Sequence, residues 1–263
     1  MMILLTNDDG IQAPGLWALY RLLSPEHRVV VVAPERERSA VSHAITLHKP
    51  LRASKVVVNG GYEGWAINGT PVDCIKLSMV ELLETPPDLV ISGINPGANV
   101  GVNLNYSGTV AAAREAALYG VTAIAISTQG QQHPLYDEAA RFIARLIPQL
   151  RDKGLPGGVF LNVNMPNVTL DQAAGVCFSR QGCDLYDEYF EKRHDPRNRL
   201  YYWQGYEGQP AYTHQDADGA MLEKGYITIT PVRCDMTDYD VLERLRGWQV
   251  DGGEPSQGDG HDS

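Results

Sequence analysis

An α/β fold, a mostly parallel sheet with helices on both faces, is predicted by three observations. Short apolar runs alternate with amphipathic segments through the first half of the 263 residues. The runs are rich in β-branched residues and lack polar alternation, as strands covered on both faces do. Helix punctuation lies between them, with Thr70-Pro71 as a start and Gly120 as a stop. Strands that alternate with helices pair in parallel, because each helix carries the chain back across the sheet.

Taken in order, residues 2–5 form a short strand that ends in Thr6-Asn7-Asp8-Asp9-Gly10. Leu16, Leu19, Tyr20 and Leu23 recur at i, i+3, i+4, i+7 and mark one face of a helix. Residues 28–33 are a buried strand. After Thr70, the positions Val72, Ile75, Met79 and Leu82 or Leu83 keep helical spacing. Residues 88–91 and 121–126 are further strands, and residues 109–119 between them form an alanine-rich helix. A helix over 137–150 follows, its end disturbed by Pro148, and then a strand over 159–163.

Beyond that point the pattern degrades. Residues 177–220 are rich in Tyr, Gly, Asp, His and Arg and show no period, which suggests an arm, a β-extension or a subunit contact. Residues 226–232 alternate and predict one more strand. Residues 251–263, with four glycines and four acids, predict a disordered tail. The chain therefore divides into a core over 1–175, a C-terminal arm or oligomerisation element over 176–250, and the tail.

Composition excludes several functions. Hydrophobic residues make up 43% and charged residues 21%, enough for a sizeable core. Twenty-two basic against 32 acidic residues leave a net charge of −10, and no Lys/Arg cluster suits a long nucleic acid. The longest strand-like apolar run spans residues 29–33, far short of a membrane span. The first residues have no basic n-region of the kind a signal peptide carries. Cys74, Cys177, Cys183 and Cys234 form no CxxC pair, and read as reduced, mostly buried thiols of a cytoplasmic protein.

Ligands of open parallel sheets bind at the carboxyl ends of strands, which singles out three segments. Asp8 and Asp9 end the first strand with no neighbouring Lys or Arg. Adjacent carboxylates repel unless a cation lies between them, and a hard divalent ion such as Mg²⁺ takes carboxylate oxygens; a solvated turn is the alternative. The second segment, residues 33–40, carries alternating charges, which read for Glu35 and Glu37 as a salt-bridged loop, and places Ser39 within reach of the first strand's end. By spacing alone this assignment is weak. The third, residues 92–109, contains four glycines and four asparagines and opens the alanine-rich helix. Ser107-Gly108-Thr109 there offers hydroxyls, backbone N–H groups and a helix dipole to a phosphate. It matches neither a Walker A loop nor GxGxxG. A carboxylate metal site facing a phosphate cradle suits phosphoryl hydrolysis or transfer.

The strings ILLTNDDGIQAPG, VVAPERERSAVSHAITL, NGTPVDC, SGINPGANVG and YSGTVAAAREA together resemble the SurE family, and GYITITP followed by DMT extends the likeness. The resemblance implies a Rossmann-like core and a swapped C-terminal element that forms homodimers or homotetramers. It implies a metal-dependent phosphatase acting on nucleoside 5′- and 3′-monophosphates; the residues leave open whether short polyphosphate is cleaved too. Position by position, it implies Asp8, Asp9, Ser39 and Asn95 as ligands of one Mg²⁺ or Mn²⁺, with Asp8 and Asp9 catalytic. Asn99, Ser107, Gly108 and Thr109 would hold the phosphate. His43 and His48 read more readily as structural than as donors to substrate, and the tyrosines between 186 and 212 either stack on a base or pack an arm.

Two other classes compete. A dinucleotide-binding dehydrogenase would want a glycine fingerprint after the first strand, where Asp8 and Asp9 would instead repel a pyrophosphate. A non-catalytic interaction module built on the C-terminal half gives no reason for a metal-type site in the core.

Overall fold

Nine strands form one sheet in the order β3-β4-β2-β1-β5-β6-β7-β11-β8. In this computed structural model residues 1–58, 60–130, 132–208 and 211–248 are described, so the tail predicted over 251–263 lies outside the described residues. The parallel centre consists of β1 (Met2–Thr6), β2 (Arg28–Pro34), β5 (Leu89–Pro96), β6 (Thr122–Thr128) and β7 (Val159–Met165). At one edge, β4 (Tyr62–Ile67) pairs in parallel with β2, and β3 (Ala53–Val58) folds back antiparallel to β4. At the other edge, β11 (Ile227–Arg233) runs antiparallel to β7, with the short β8 (Val176–Phe178) beside it.

The predicted alternation of strand and helix becomes two hydrophobic layers. On one face Ile3, Leu5 and Ile91 meet Leu16 and Leu19 of α1 (Pro14–Leu23) and Ile143 and Ile147 of α4 (Tyr136–Lys153). On the other, Leu4, Val32 and Val90 meet Cys74 and Ile75 of α2 (Pro71–Leu77) and the alanines of α3 (Gly108–Leu118). Successive residues of β1 thus serve opposite cores, which is why the run shows no polar alternation.

Several details differ from the sequence reading. Pro148 does not end its helix; α4 continues to Lys153 because a buried face including Phe142, Ile147 and Leu150 outweighs one missing backbone bond, a cost of about 3 kcal/mol. The helical spacing after Thr70 covers two structures, α2 and a π-helical turn at Ser78–Leu82. Thr70 does cap α2, in a capping box with Asp73. The thiols are not mostly buried. Only Cys74 is, whereas Cys183 is exposed and Cys177 and Cys234 are half-buried, and all four are free. The patternless stretch does contain a β-extension, one of its three readings: an antiparallel hairpin of β9 (Asp187–His194) with β10 (Leu200–Glu207), which among the described residues pairs only with itself. Two short helices, α5 (Asp218–Glu223) and α6 (Tyr239–Leu245), flank β11. No helix of the described residues is long and apolar enough to cross a membrane.

Candidate active site

The chain leaves β1 toward β2 on one side, and β5 later joins β1 on the other. This reversal of strand order opens a crevice beyond the carboxyl ends of β1 and β5. Asn7 shapes the turn after β1: its Nδ2 donates to Gly10 O (3.0 Å), and Gly10 N donates back to its Oδ1 (3.2 Å). Gly10 adopts φ 98°, open to glycine at little cost. Asp8 and Asp9 are left at the tip, and Arg38 N donates to Asp8 O at 2.7 Å, tying the loop after β2 to the same point.

Asp8 is buried under the N-terminus of α3. The Thr109 hydroxyl donates to its Oδ1. Burial pushes the Asp8 carboxyl above its ordinary range, opposed by that hydroxyl and by backbone N–H groups of Thr109 and Gly108. The approach is possible because residue 108 is glycine: a Cβ there would lie 2.8 Å from Asp8 Cβ. Asp9 is pushed up to about 7, first by burial and then by the charges of Asp8 and Glu37. Its Oδ2 is buried with no hydrogen-bond partner among the described residues.

Above these carboxylates lies a cavity of about 820 Å³. Of the residues predicted from sequence, Asp8, Asp9, Ser39, Asn95, Asn99 and Ser107 line it. Gly108 and Thr109 stand behind Asp8 instead of at the wall. The Ser39 hydroxyl donates to Glu37 Oε1 (2.6 Å). Asn95 donates from Nδ2 to Gly97 O (2.6 Å), so its carboxamide oxygen is the end not tied back to the loop. Ser107 caps α3, accepting from Val110 N at 3.2 Å. Neither His43 nor His48 lines the cavity; His43 Nε2 pairs with Glu115 Oε2 at 2.7 Å on α3.

Residues 3–188 match the family described as "Survival protein SurE". The chain belongs to the SurE family. It is 55% identical to the "5′-nucleotidase SurE" of Desulfatibacillum aliphaticivorans over 95% of this chain and 99% of that one. A "5′-nucleotidase SurE" of Syntrophobacter fumaroxidans is 45% identical over 95% of this chain and 100% of its own. The crystal structure of the SurE protein from Aquifex aeolicus superposes with a TM-score of 0.83 at 36% identity, covering 94% of this chain and 98% of that one.

Among the described residues of this SurE-family chain, the cavity is lined by four carboxylates, Asp8, Asp9, Glu37 and Glu188, and by no Lys, Arg or His. The described residues contain no group of three or more His, Cys, Asp or Glu side chains poised around one ion. Two carboxylates with a serine hydroxyl and an asparagine carbonyl are a sparse, all-oxygen donor set. Such a set suits a hard cation that keeps several waters, as Mg²⁺ and Mn²⁺ do. The unpartnered Asp9 Oδ2 and the repulsion between the two aspartates are what a bound cation would relieve.

Three contributors were not read from sequence. Asn162 and Asn164 of β7 are fully buried and both donate from Nδ2 to Asn99 O, at 2.8 and 2.9 Å. Asn99 N donates to Asn164 Oδ1 (2.7 Å), and its Nδ2 donates to Ser127 Oγ (2.8 Å). The buried Asp218 carboxylate accepts from the backbone N–H of Gly101, Gly182 and Gly219 at 2.9 to 3.1 Å, latching the asparagine loop to the C-terminal region. Two asparagines at i, i+2 inside an apolar strand were the available signal for the first pair. Nothing local marks Asp218. The hairpin supplies a wall through Glu188, Gln204 and Tyr206, and Tyr206 packs edge-on to Tyr186 at 5.6 Å.

Proposed function

We propose that this SurE-family chain is a metal-dependent 5′-nucleotidase, hydrolysing nucleoside monophosphates to nucleoside and phosphate. 3′-Nucleotides and short polyphosphate are further substrates of the same site. One Mg²⁺ or Mn²⁺ would be held by Asp8 and Asp9 with Ser39 and Asn95. The observation that carries this reading is the acid-lined cavity set against the N-terminus of α3. Four carboxylates repel a phosphate unless a cation intervenes, while the helix amides attract one.

When bound, the cation supplies charge neutralisation and Lewis-acid polarisation of the phosphoryl group. The rest falls to the chain. Asp8 is fixed by Thr109, whose hydroxyl occupies one carboxylate oxygen; that favours water over Asp8 as the attacking group. Asp9 would meet the cation through its unpartnered Oδ2, and its other carboxylate oxygen would hold an attacking water and accept its proton. Ser107, at the cavity wall on the N-terminus of α3, would face the equatorial oxygens as charge develops on them, while Gly108 and Thr109 act through Asp8, to which their backbone N–H groups are turned. Asn99 is held by Asn162, Asn164 and Ser127, so it meets the phosphate preset.

Residues 1–175 carry this chemistry. The exposed aromatic side chains of the hairpin, among them Tyr189, Phe190, Tyr202 and Trp203, suit assembly into a homodimer or homotetramer. Unpaired thiols are in keeping with a cytoplasmic setting.

Phosphate release from a panel of nucleoside monophosphates, with Mn²⁺, with Mg²⁺ and after EDTA, tests the reading. Release that needs the metal and disappears in Asp8→Asn is the expected result. Release that persists in EDTA at the full rate overturns the metal assignment.

A further inference from the structure

A second cavity, of about 310 Å³, shares a wall with the site just described. The segment after β2 divides its side chains between the two: Glu37 and Ser39 face the larger cavity, while Glu35, Arg36 and Arg38 line the smaller one. Lys49 and Asn68 line the smaller cavity as well. Three cations thus converge on one concavity, against a single carboxylate, in a chain whose net charge is −10.

None of the three is neutralised. Among the described residues Arg36, Arg38 and Lys49 form no ion pair, although Glu35 and Glu37 are their neighbours in sequence. Arg38 is anchored, its Nη2 donating to Asn68 O at 3.0 Å, and its buried Nε has no acceptor. A guanidinium fixed at a wall with donors to spare, beside a second guanidinium and an ammonium, is an arrangement for an anion of more than one charge. The volume is at the low end of ligand sites, which run from about 300 to 1,000 Å³. Arginine forks match phosphoryl oxygens in pairs, and three cations exceed what a single carboxylate would use.

We infer that this pocket binds a diphosphate, either free pyrophosphate or the diphosphate of a nucleotide, as an effector distinct from the substrate. The backbone supplies the link to the catalytic cavity. Arg38 N holds Asp8 O at 2.7 Å, and Gly10 packs so closely that a Cβ on it would lie 3.0 Å from Arg36 C. An anion drawing Arg36 and Arg38 together therefore bears on the turn that carries Asp8 and Asp9.

Isothermal titration of the full chain with pyrophosphate in EDTA tests this directly. Wild type should bind, and the double variant Arg36→Ala/Lys49→Ala should bind about tenfold more weakly or worse, a loss near 1.4 kcal/mol. Both residues are exposed, so an unchanged melting temperature confirms the fold. Ser107→Ala, which disturbs the phosphate end of the catalytic cavity, should leave pyrophosphate affinity unchanged. Repeating the titration with ADP separates the sources: equal affinity assigns recognition to the phosphates alone, and tighter binding adds a nucleoside contact. Failure of wild type to bind, unchanged affinity in the double variant, or a loss that follows Ser107→Ala instead would each overturn the inference. All these readouts are independent of turnover, so they stand or fall apart from the nucleotidase assignment.

Discussion

At the floor of the cavity several polar groups are tied to another element: Asp8 to Thr109 on α3, Asn99 to two asparagines on β7, Gly101 to Asp218. The hairpin wall is the reverse. Among the described residues, strands β9 and β10 pair only with each other, and nearly all their residues are exposed. These floor groups are held by bonds between elements, the condition for keeping charged groups at fixed distances. The wall is a two-stranded ribbon with little packing of its own, able to differ in sequence and position without disturbing the chemistry. Reaction and selectivity are thereby assigned to different parts of the molecule.

The sharpest way to break that division is at the floor. Asp9→Asn or Asp8→Asn should lower metal-dependent turnover by about a thousandfold, the scale of losing a preorganised electrostatic group, with the circular dichroism spectrum unchanged. Wild-type turnover with unaltered metal affinity in either variant would remove both residues from the site. Next in size, Gly108→Ala places a methyl group 2.8 Å from Asp8 Cβ. Displacing Asp8 by a fraction of an ångström should cost about a hundredfold in kcat, read by steady-state kinetics. An unaffected kcat would mean that the α3 contact does not set Asp8.

The wall should respond differently. Tyr206→Ala should raise KM about tenfold while kcat stays near wild type, since a lost ring contact with the nucleoside is worth about 1–3 kcal/mol per base. A fall in kcat at constant KM would place Tyr206 with the floor instead. The smallest effect concerns stability. Glu115 accepts from His43 and Lys76, which hold its carboxyl below the ordinary glutamate range. A depressed folded-state value contributes stability above the unfolded value of 4.5 and loses it as pH falls through the folded one. Glu115→Gln should therefore flatten the acid limb of a stability–pH curve from urea denaturation. An unchanged acid limb would show the pair to be neutral.

The same contrast governs how much the sequence reveals. Central strands were legible because both faces are buried, giving unbroken apolar runs, and Asp8-Asp9 because two carboxylates closing such a run have no packing explanation. The hairpin β9–β10 was legible only as a β-extension, one of three readings without strand bounds, because periodicity records burial of one face and this ribbon buries neither. The β3–β4 pair was also unread, although Gly60-Gly61 between two strand-like runs is a hairpin signal; its outer strand is largely exposed and mixes Ser and Lys with Val. Ser39 has no local pattern that marks it, and only the family resemblance raised it. Asn162, Asn164 and Asp218 act through bonds spanning 63 to 117 residues, which no local pattern contains.

The Asp218 latch also sets an order of events during synthesis. A nascent chain that has emerged as far as residue 175 already contains every proposed metal ligand and the phosphate-facing helix, but not the carboxylate that pins Gly101. Asn99 can already be held by Asn162 and Asn164 at that stage, but Gly101 stays unfastened until a partner 117 positions downstream leaves the ribosome. Fragments released early would hold the reactive groups with the Gly101 end of the asparagine loop still unpinned.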